Sequence, residues 1–211
     1  MASQRGIFCA GDPWFDPHFQ GIERIALDRG AWVEHLPQWL EGAEAVFSAC
    51  VRAMRWRADS RRMYDRVVEV PRLTACVPKD GEGHPVLVQL ADCLGRRFGE
   101  PLGSIGLAYY RNGRDSVAMH GDRLGKRVHN SVVAIVSIGE PRRFLLKPRD
   151  GGRSMSYSLG WGDLLVMGGS CQRDWVHGVP KVAAAGPRIS IQFRPGVVQP
   201  ERSANPSRHP T

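Results

Sequence analysis

Lysine is nearly missing from this 211-residue chain: among 29 basic side chains, only Lys79, Lys126, Lys147 and Lys181 are lysines. The net charge of +8 is therefore carried almost wholly by arginine. Arginine's planar fork suits phosphate or carboxylate recognition, although a codon bias produces the same excess. Such a charge makes a nucleic-acid partner plausible without establishing one. Paired cysteines are missing too. Cys9, Cys50, Cys76, Cys93 and Cys171 are scattered, odd in number and without a CxxC pair, which argues against a disulfide frame or a cysteine zinc site and for reduced thiols. No apolar run approaches the roughly 20 residues that a membrane-spanning helix needs. The opening "MASQRGIFCAGDPWFDPHF" lacks a basic segment followed by an apolar core, so a cytoplasmic location is expected; separately, the chain is expected to be a monomer.

A hydrophobic content of 42% is enough for one domain with a full core. Alternation through "IERIALDRGAWVEHLP" predicts one or two strands. From Gln38 to Met54 the apolar residues Leu40, Ala43, Phe47, Cys50, Val51 and Met54 recur at threes and fours, which predicts a helix. A second helix is signalled by Pro85, then Leu87, Leu90, Ala91, Leu94 and Phe98, with Gly99 as its stop. Beyond residue 103 the pattern turns to short β-like runs: "SIGLAYY", "SVAMHGD", "SVVAIVSIG", "RRFLLKP", "SMSYSLG", "DLLVMGG" and "RISIQFR". This order predicts an α+β, mainly β domain, a sandwich or barrel with two helices packed on one face. The domain is expected to end at residue 195, and the proline-rich residues 196–211 are expected to be a disordered tail.

Within "YYRNGRDSVAMHGDRLGK", His120 and Asp122 stand two apart, a spacing that turns both side chains to one face of a strand. Alone, an HxD is a surface pair as readily as a site, since a chain with this much His and Asp holds about 0.4 such pairs by chance. A third candidate ligand, His177 in "WVHGVP", raises its value. Two imidazoles and a carboxylate from separate β segments suit a facial triad for Fe(II), though a zinc hydrolase could use the same three. Downstream, "PRISIQFRPG" puts Arg188, Ser190, Gln192 and Arg194 on one strand face and Ile189, Ile191 and Phe193 on the other. Buried guanidiniums need anionic partners, and a small dicarboxylate would satisfy two of them.

The ordered set "YRNGRDSVAMHGD", "GDLLVMGG", "HGVP" and "RISIQFR" resembles the AlkB family of Fe(II)/2-oxoglutarate dioxygenases over roughly residues 60 to 195. The resemblance implies a double-stranded β-helix (jelly-roll) core over 103–195. It further implies Fe(II) held by His120, Asp122 and His177, and 2-oxoglutarate held at its distal carboxylate by Tyr110, Arg188 and Ser190, with Arg194 near its chelating end. The implied reaction is O2-dependent removal of N-alkyl groups from bases of DNA or RNA, releasing formaldehyde, succinate and CO2, with no protein general acid or base. Two positions depart from the family pattern: Ala108 stands where an asparagine precedes the tyrosine, and Leu124 where an acidic residue implied in base reading is often found.

The stretch Val51 to Arg72 sets seven arginines against Asp59, Asp65 and Glu69, with Trp56 and Tyr64 interleaved. Guanidinium for phosphate and rings for bases is what a single strand or flipped base requires, while a solvated helix end and charged loop is the plainer reading. By the resemblance, residues of about 51–80 form a nucleotide-recognition lid with Trp56, Arg61, Arg62, Tyr64 and Arg72 toward the substrate. His35 and His129 read as structural or surface groups, Cys171 receives no role, and Trp161, Met167 and Trp175 read as core or cavity wall. Two rival readings are a dioxygenase acting on a protein or small molecule, and a non-enzymatic nucleic-acid-binding β domain.

Overall fold

The computed structural model describes residues 12–63, 66–77, 85–122, 124 and 130–196, with side chains described outside 59–70. In chain order the elements are β1 (Trp14–Phe15), β2 (Glu23–Ala26), β3 (Trp32–Leu36), β4 (Leu40–Glu41), α1 (Ala43–Ala53), β5 (Arg57–Met63), β6 (Arg66–Cys76) and α2 (Val86–Phe98). There follow β7 (Ser104–Tyr110), β8 (Val117–His120), β9 (Val133–Gly139), β10 (Arg142–Pro148), β11 (Met155–Leu159), β12 (Asp163–Gly168), α3 (Cys171–Asp174), β13 (Trp175–Val179) and β14 (Arg188–Arg194). A long sheet runs β2-β3-β12-β9-β14-β7-β6-β5, a short one runs β11-β10-β13-β8, and a β1–β4 pair stands apart. All are antiparallel.

The strand alternation of β14 shows why the molecule has two cores. Ile189, Ile191 and Phe193 pack with Val46 and Cys50 of α1 and Leu87, Leu90 and Leu94 of α2 on one side of the long sheet. On the other side, Val133, Ile135, Phe144, Leu146, Leu165, Met167, Trp175 and Val179 fill the space between the sheets. The expected mainly β sandwich with helices on one face is the fold observed, a two-sheet jelly roll. No described helix is long and apolar enough to cross a membrane.

The second helix lies where its apolar spacing places it, and Gly99 ends it in the left-handed region at φ 70°. The first begins later than its periodicity predicts. Gln38 turns at φ 51°, Trp39 donates its Nε1–H to the Asp16 carbonyl at 2.8 Å, and Leu40 donates its N–H to the Gly162 carbonyl at 3.0 Å. Tertiary bonds therefore draw residues 38–41 out of the helix, although Trp39 and Leu40 are buried. Trp161, expected in the core or cavity wall, is 38% exposed on a tight turn, whereas Trp175 and Met167 are buried. His35 leans on Tyr157. Cys50, Cys76, Cys93 and Cys171 are free thiols, and burial pushes Cys171 up to about 12, which keeps it inert. Of the expected disordered tail (196–211), residues 197–211 lie outside the described residues, as do Cys9, Tyr64 and His129.

Candidate active site

β8 and β13 bring the HxD and the distal histidine together, because their register pairs His120 directly with His177. The two imidazoles lie 4.5 Å apart between ring centres, and the candidate ligand atoms of His120, Asp122 and His177 all fall within 4.8 Å of one another. Strand β8 ends at His120, so Asp122 reaches the site from the turn beyond it rather than from the strand. Gly121 makes that turn possible: a Cβ there would stand 2.7 Å from the Gln172 carbonyl and 2.8 Å from the Arg149 guanidinium. Gly178 plays a related part in β13, where a Cβ would stand 2.9 Å from both the Met119 sulfur and the Val117 carbonyl.

Each member of the triad is held ready for a cation. Nδ1 of His120 lies 2.9 Å from the Ala118 carbonyl. A carbonyl only accepts, so Nδ1 carries the proton and Nε2 keeps its lone pair for the site. His177 stacks on Phe144 at 5.4 Å. Burial lowers its pKa to about 4, opposed by Asp122 and reinforced by His120 and Arg194, so the ring is neutral at physiological pH. The Asp122 backbone N–H donates to Gln172 Oε1 at 3.1 Å, and Oδ1 accepts from Arg194 Nη2 at 2.7 Å and Nε at 3.0 Å. Burial pushes the Asp122 carboxyl up, but Arg194 and His177 more than offset this and leave it ionised below its ordinary value. Its other oxygen, Oδ2, is buried without a hydrogen-bond partner and faces His177 Nε2 at 3.8 Å. An ionised oxygen orphaned beside two imidazoles is the donor set of a divalent metal, and among the described residues no other His/Cys/Asp/Glu group is arranged to hold one.

The triad opens on a cavity lined by Arg72, Tyr110, Ile135, Phe144, Ser190 and Arg194 among others. Arg188 lies fully buried, opposite Tyr110 across the β7–β14 pair. Its Nη2 donates to Ser137 Oγ at 2.6 Å, while Nη1 and Nε have no partner. Burial brings its pKa down to about 10, countered by Tyr110, so it remains cationic. Burial raises Tyr110, against the pull of Arg188, Arg72 and Arg142. A carboxylate is what this region lacks: guanidinium donors, a phenol and the Ser190 hydroxyl converge there, and Asp122, already committed to Arg194, is the sole carboxylate among the described lining residues. Ala108 is buried beside Ser190 in the β7–β14 register, so that position contributes no donor. Leu124 packs against the core between the sheets.

The predicted substrate residues divide. Trp56 donates to the Val51 carbonyl and packs on Tyr109 at 5.2 Å in the helix-side core, on the face of the sheet away from the cavity. It is half-buried against that core, on the opposite face from the cavity, because Tyr109 and Tyr110 alternate and Trp56 follows Tyr109. Arg61 and Arg62 lie on β5, in the β5–β6 hairpin that extends the long sheet, and their side chains lie outside the described ones. Arg72 does face the cavity. Sequence reading missed Ser137, Phe144, Arg142 and Gln172. Ser137 alone carried a visible signal, as the one polar residue in the wholly buried strand β9.

Comparison with known proteins agrees with this geometry. The family model described as 2OG-Fe(II) oxygenase superfamily matches residues 52–194. The chain is 30% identical over 196 residues to the alpha-ketoglutarate-dependent dioxygenase alkB homolog 3 of Bos taurus, covering 82% of this chain and 66% of that protein. It is 29% identical to the DNA oxidative demethylase ALKBH2 of Arabidopsis thaliana, covering 81% and 68%. Among solved structures, OsALKBH1 shares the fold with a TM-score of 0.59 at 14% identity, covering 82% of this chain and 100% of that one. A prolyl hydroxylase from Trichoplax adhaerens shares it with a TM-score of 0.54 at 14% identity, covering 82% of each. The chain spans about two thirds of the length of the curated relatives it matches.

Proposed function

Because the chain belongs to the 2OG-Fe(II) oxygenase superfamily, we propose that it removes alkyl groups oxidatively from N-alkylated bases of DNA or RNA. The observation that carries this reading is the juxtaposition of a His–Asp–His face having an orphaned carboxylate oxygen with guanidiniums that have no anionic partner. Family membership implies Fe(II), with 2-oxoglutarate and O2 as cosubstrates. His120, Asp122 and His177 would hold the metal, which when bound supplies O2 activation at the expense of the 2-oxo acid.

The chain's own residues bind, orient and keep the site dry. Arg188 and Tyr110, with Ser190, take the distal carboxylate of the 2-oxo acid through charge-assisted hydrogen bonds. Arg194 fixes one oxygen of Asp122 and lies beside the chelating end. Phe144, Ile135 and Val179 form an apolar wall that excludes water. No side chain acts as general acid or base. Nucleic acid is the substrate class favoured by the relatives' activities and by the arginine-rich sequence of the hairpin strands, which hold Arg57, Arg61, Arg62 and Arg66.

The test is incubation with Fe(II), 2-oxoglutarate and an oligonucleotide bearing one N-methylated base, followed by mass spectrometry. Loss of the methyl group, with formaldehyde released and both abolished in Asp122→Ala, is the expected result. An unchanged oligonucleotide while 2-oxoglutarate is consumed would transfer the activity to a protein or small-molecule substrate.

A further inference from the structure

Of the arginines around the cavity, Arg72 alone comes from the hairpin. Strand β6 pairs antiparallel with β7 at Leu73 and Tyr109, and one residue further along that register sets Arg72 opposite Tyr110. Strand β14 pairs with β7 from the other side and sets Arg188 opposite the same tyrosine. Arg72, Tyr110 and Arg188 therefore form one row across three strands, on the face turned toward the short sheet. Arg188 lies behind the cavity wall with no exposed surface, whereas Arg72 and Tyr110 line the cavity itself.

Arg72, like Arg188, holds a buried donor without a partner. Its Nε is buried with no hydrogen bond, and no described carboxylate pairs with its guanidinium. Two cations held about a phenol, without an acid between them, form a receptor for one carboxylate approached from both sides. An anion entering the cavity meets Arg72 before it meets Arg188.

Taking the dioxygenase reading above as its basis, we propose that Arg72 is a second carboxylate-binding residue for the 2-oxo acid, and that cosubstrate binding thereby fixes the β5–β6 hairpin and raises its affinity for nucleic acid. Arg72 stands on β6, which carries Arg66 and pairs along its length with β5, the strand of Arg57, Arg61 and Arg62, so a group that holds Arg72 also holds one side of that hairpin. Coupling of this kind is reciprocal: the 2-oxo acid tightens the oligonucleotide by the same factor by which the oligonucleotide tightens the 2-oxo acid.

Two measurements separate this proposal from the function it rests on. In the first, 2-oxoglutarate is titrated calorimetrically into Mn(II)-loaded protein. Arg72→Gln should weaken Kd by on the order of tenfold or more, as expected for a lost hydrogen bond between charged groups, and Arg72→Lys should recover part of the loss. The thermal midpoint of the metal-free protein should stay near that of the wild type. A Kd within about twofold of wild type in Arg72→Gln, against the tenfold expected from the lost charged contact, overturns the assignment and leaves the dioxygenase reading untouched. In the second, a labelled single-stranded oligonucleotide is titrated by fluorescence anisotropy with and without saturating 2-oxoglutarate. Wild type should bind about fivefold tighter or more with the 2-oxo acid present, and Arg72→Gln should show no such gain. Equal affinity in both conditions in wild type overturns the coupling. No binding of any oligonucleotide overturns the nucleic-acid reading together with the coupling, while the calorimetry still decides whether Arg72 holds the cosubstrate.

Discussion

Arg142 and Arg188 are buried to nearly the same degree, 2% and 0% exposed, in the space between the sheets, and they are satisfied in opposite ways. Arg142 donates Nη1 to the Asn112 carbonyl at 3.0 Å, and Nη2 to the carbonyls of Asp115 and Pro180 at 2.9 and 2.8 Å. It ties two loops to the short sheet, and both terminal nitrogens are spent, with Nε alone left buried without a partner. Arg188 donates Nη2 to Ser137 and lies over the Tyr110 ring, and leaves Nη1 and Nε without a hydrogen-bond partner. A buried charge completed by the protein's own backbone is architecture. One left incomplete costs folding free energy and persists where a ligand completes it.

The contrast breaks most visibly through stability. Arg142→Met leaves three carbonyls without donors and should cost about 3–5 kcal/mol in urea unfolding, with the folded fraction still binding metal. Arg188→Met gives up the Ser137 bond but also removes two buried donors that had no partner, so the metal-free protein should lose far less stability than Arg142→Met does, while 2-oxoglutarate affinity falls by about a hundredfold or more, as charge-assisted contacts predict. Equal destabilisation by the two substitutions would erase the distinction.

Smaller effects sharpen it. Gln172→Leu withdraws the acceptor that holds the Asp122 backbone and should weaken Mn(II) binding by roughly tenfold, the lower end of what outer partners of metal ligands contribute. Gln172→Glu, which keeps an oxygen there, should restore most of it. The smallest effect concerns Asp115, in the loop that Arg142 clamps. Burial raises its pKa, but hydrogen bonds from the side chain and backbone of Arg111 lower it further and leave it below the ordinary value. A carboxyl depressed in the folded state adds stability that is present above its unfolded pKa of about 3.9 and is lost as pH falls through the folded value. Asp115→Asn should therefore flatten the acid limb of the stability profile below about pH 4, by no more than about 1 kcal/mol, since Arg111 is half exposed.

Much of this was legible because strand alternation and helical spacing are strong in this chain. The polar face of "RISIQFR" announced a cavity side, and the HxD with a distal histidine announced a metal face. What escaped did so for local reasons. The strand bearing His177 is short and wholly buried, with no polar alternation to mark it, and a four-residue helix leads into it. The start of the first helix was overruled by hydrogen bonds to residues distant in sequence. Trp56 looked like a stacking ring because arginines surround it in sequence, yet it sits just before β5 and packs on Tyr109 against the helix-side core. Ser137 became a partner of Arg188 through pairing across 51 residues, which no local pattern encodes.

The most direct test is an anaerobic titration of Fe(II) and 2-oxoglutarate, followed by the weak visible charge-transfer band of a metal-chelated 2-oxo acid, in wild type and Asp122→Ala. A band in wild type that is lost in the variant is the predicted result, and it would tie the orphaned oxygen of Asp122 to the metal. No band in wild type, or one undiminished by the substitution, would contradict the assignment of this His–Asp–His face as the iron site.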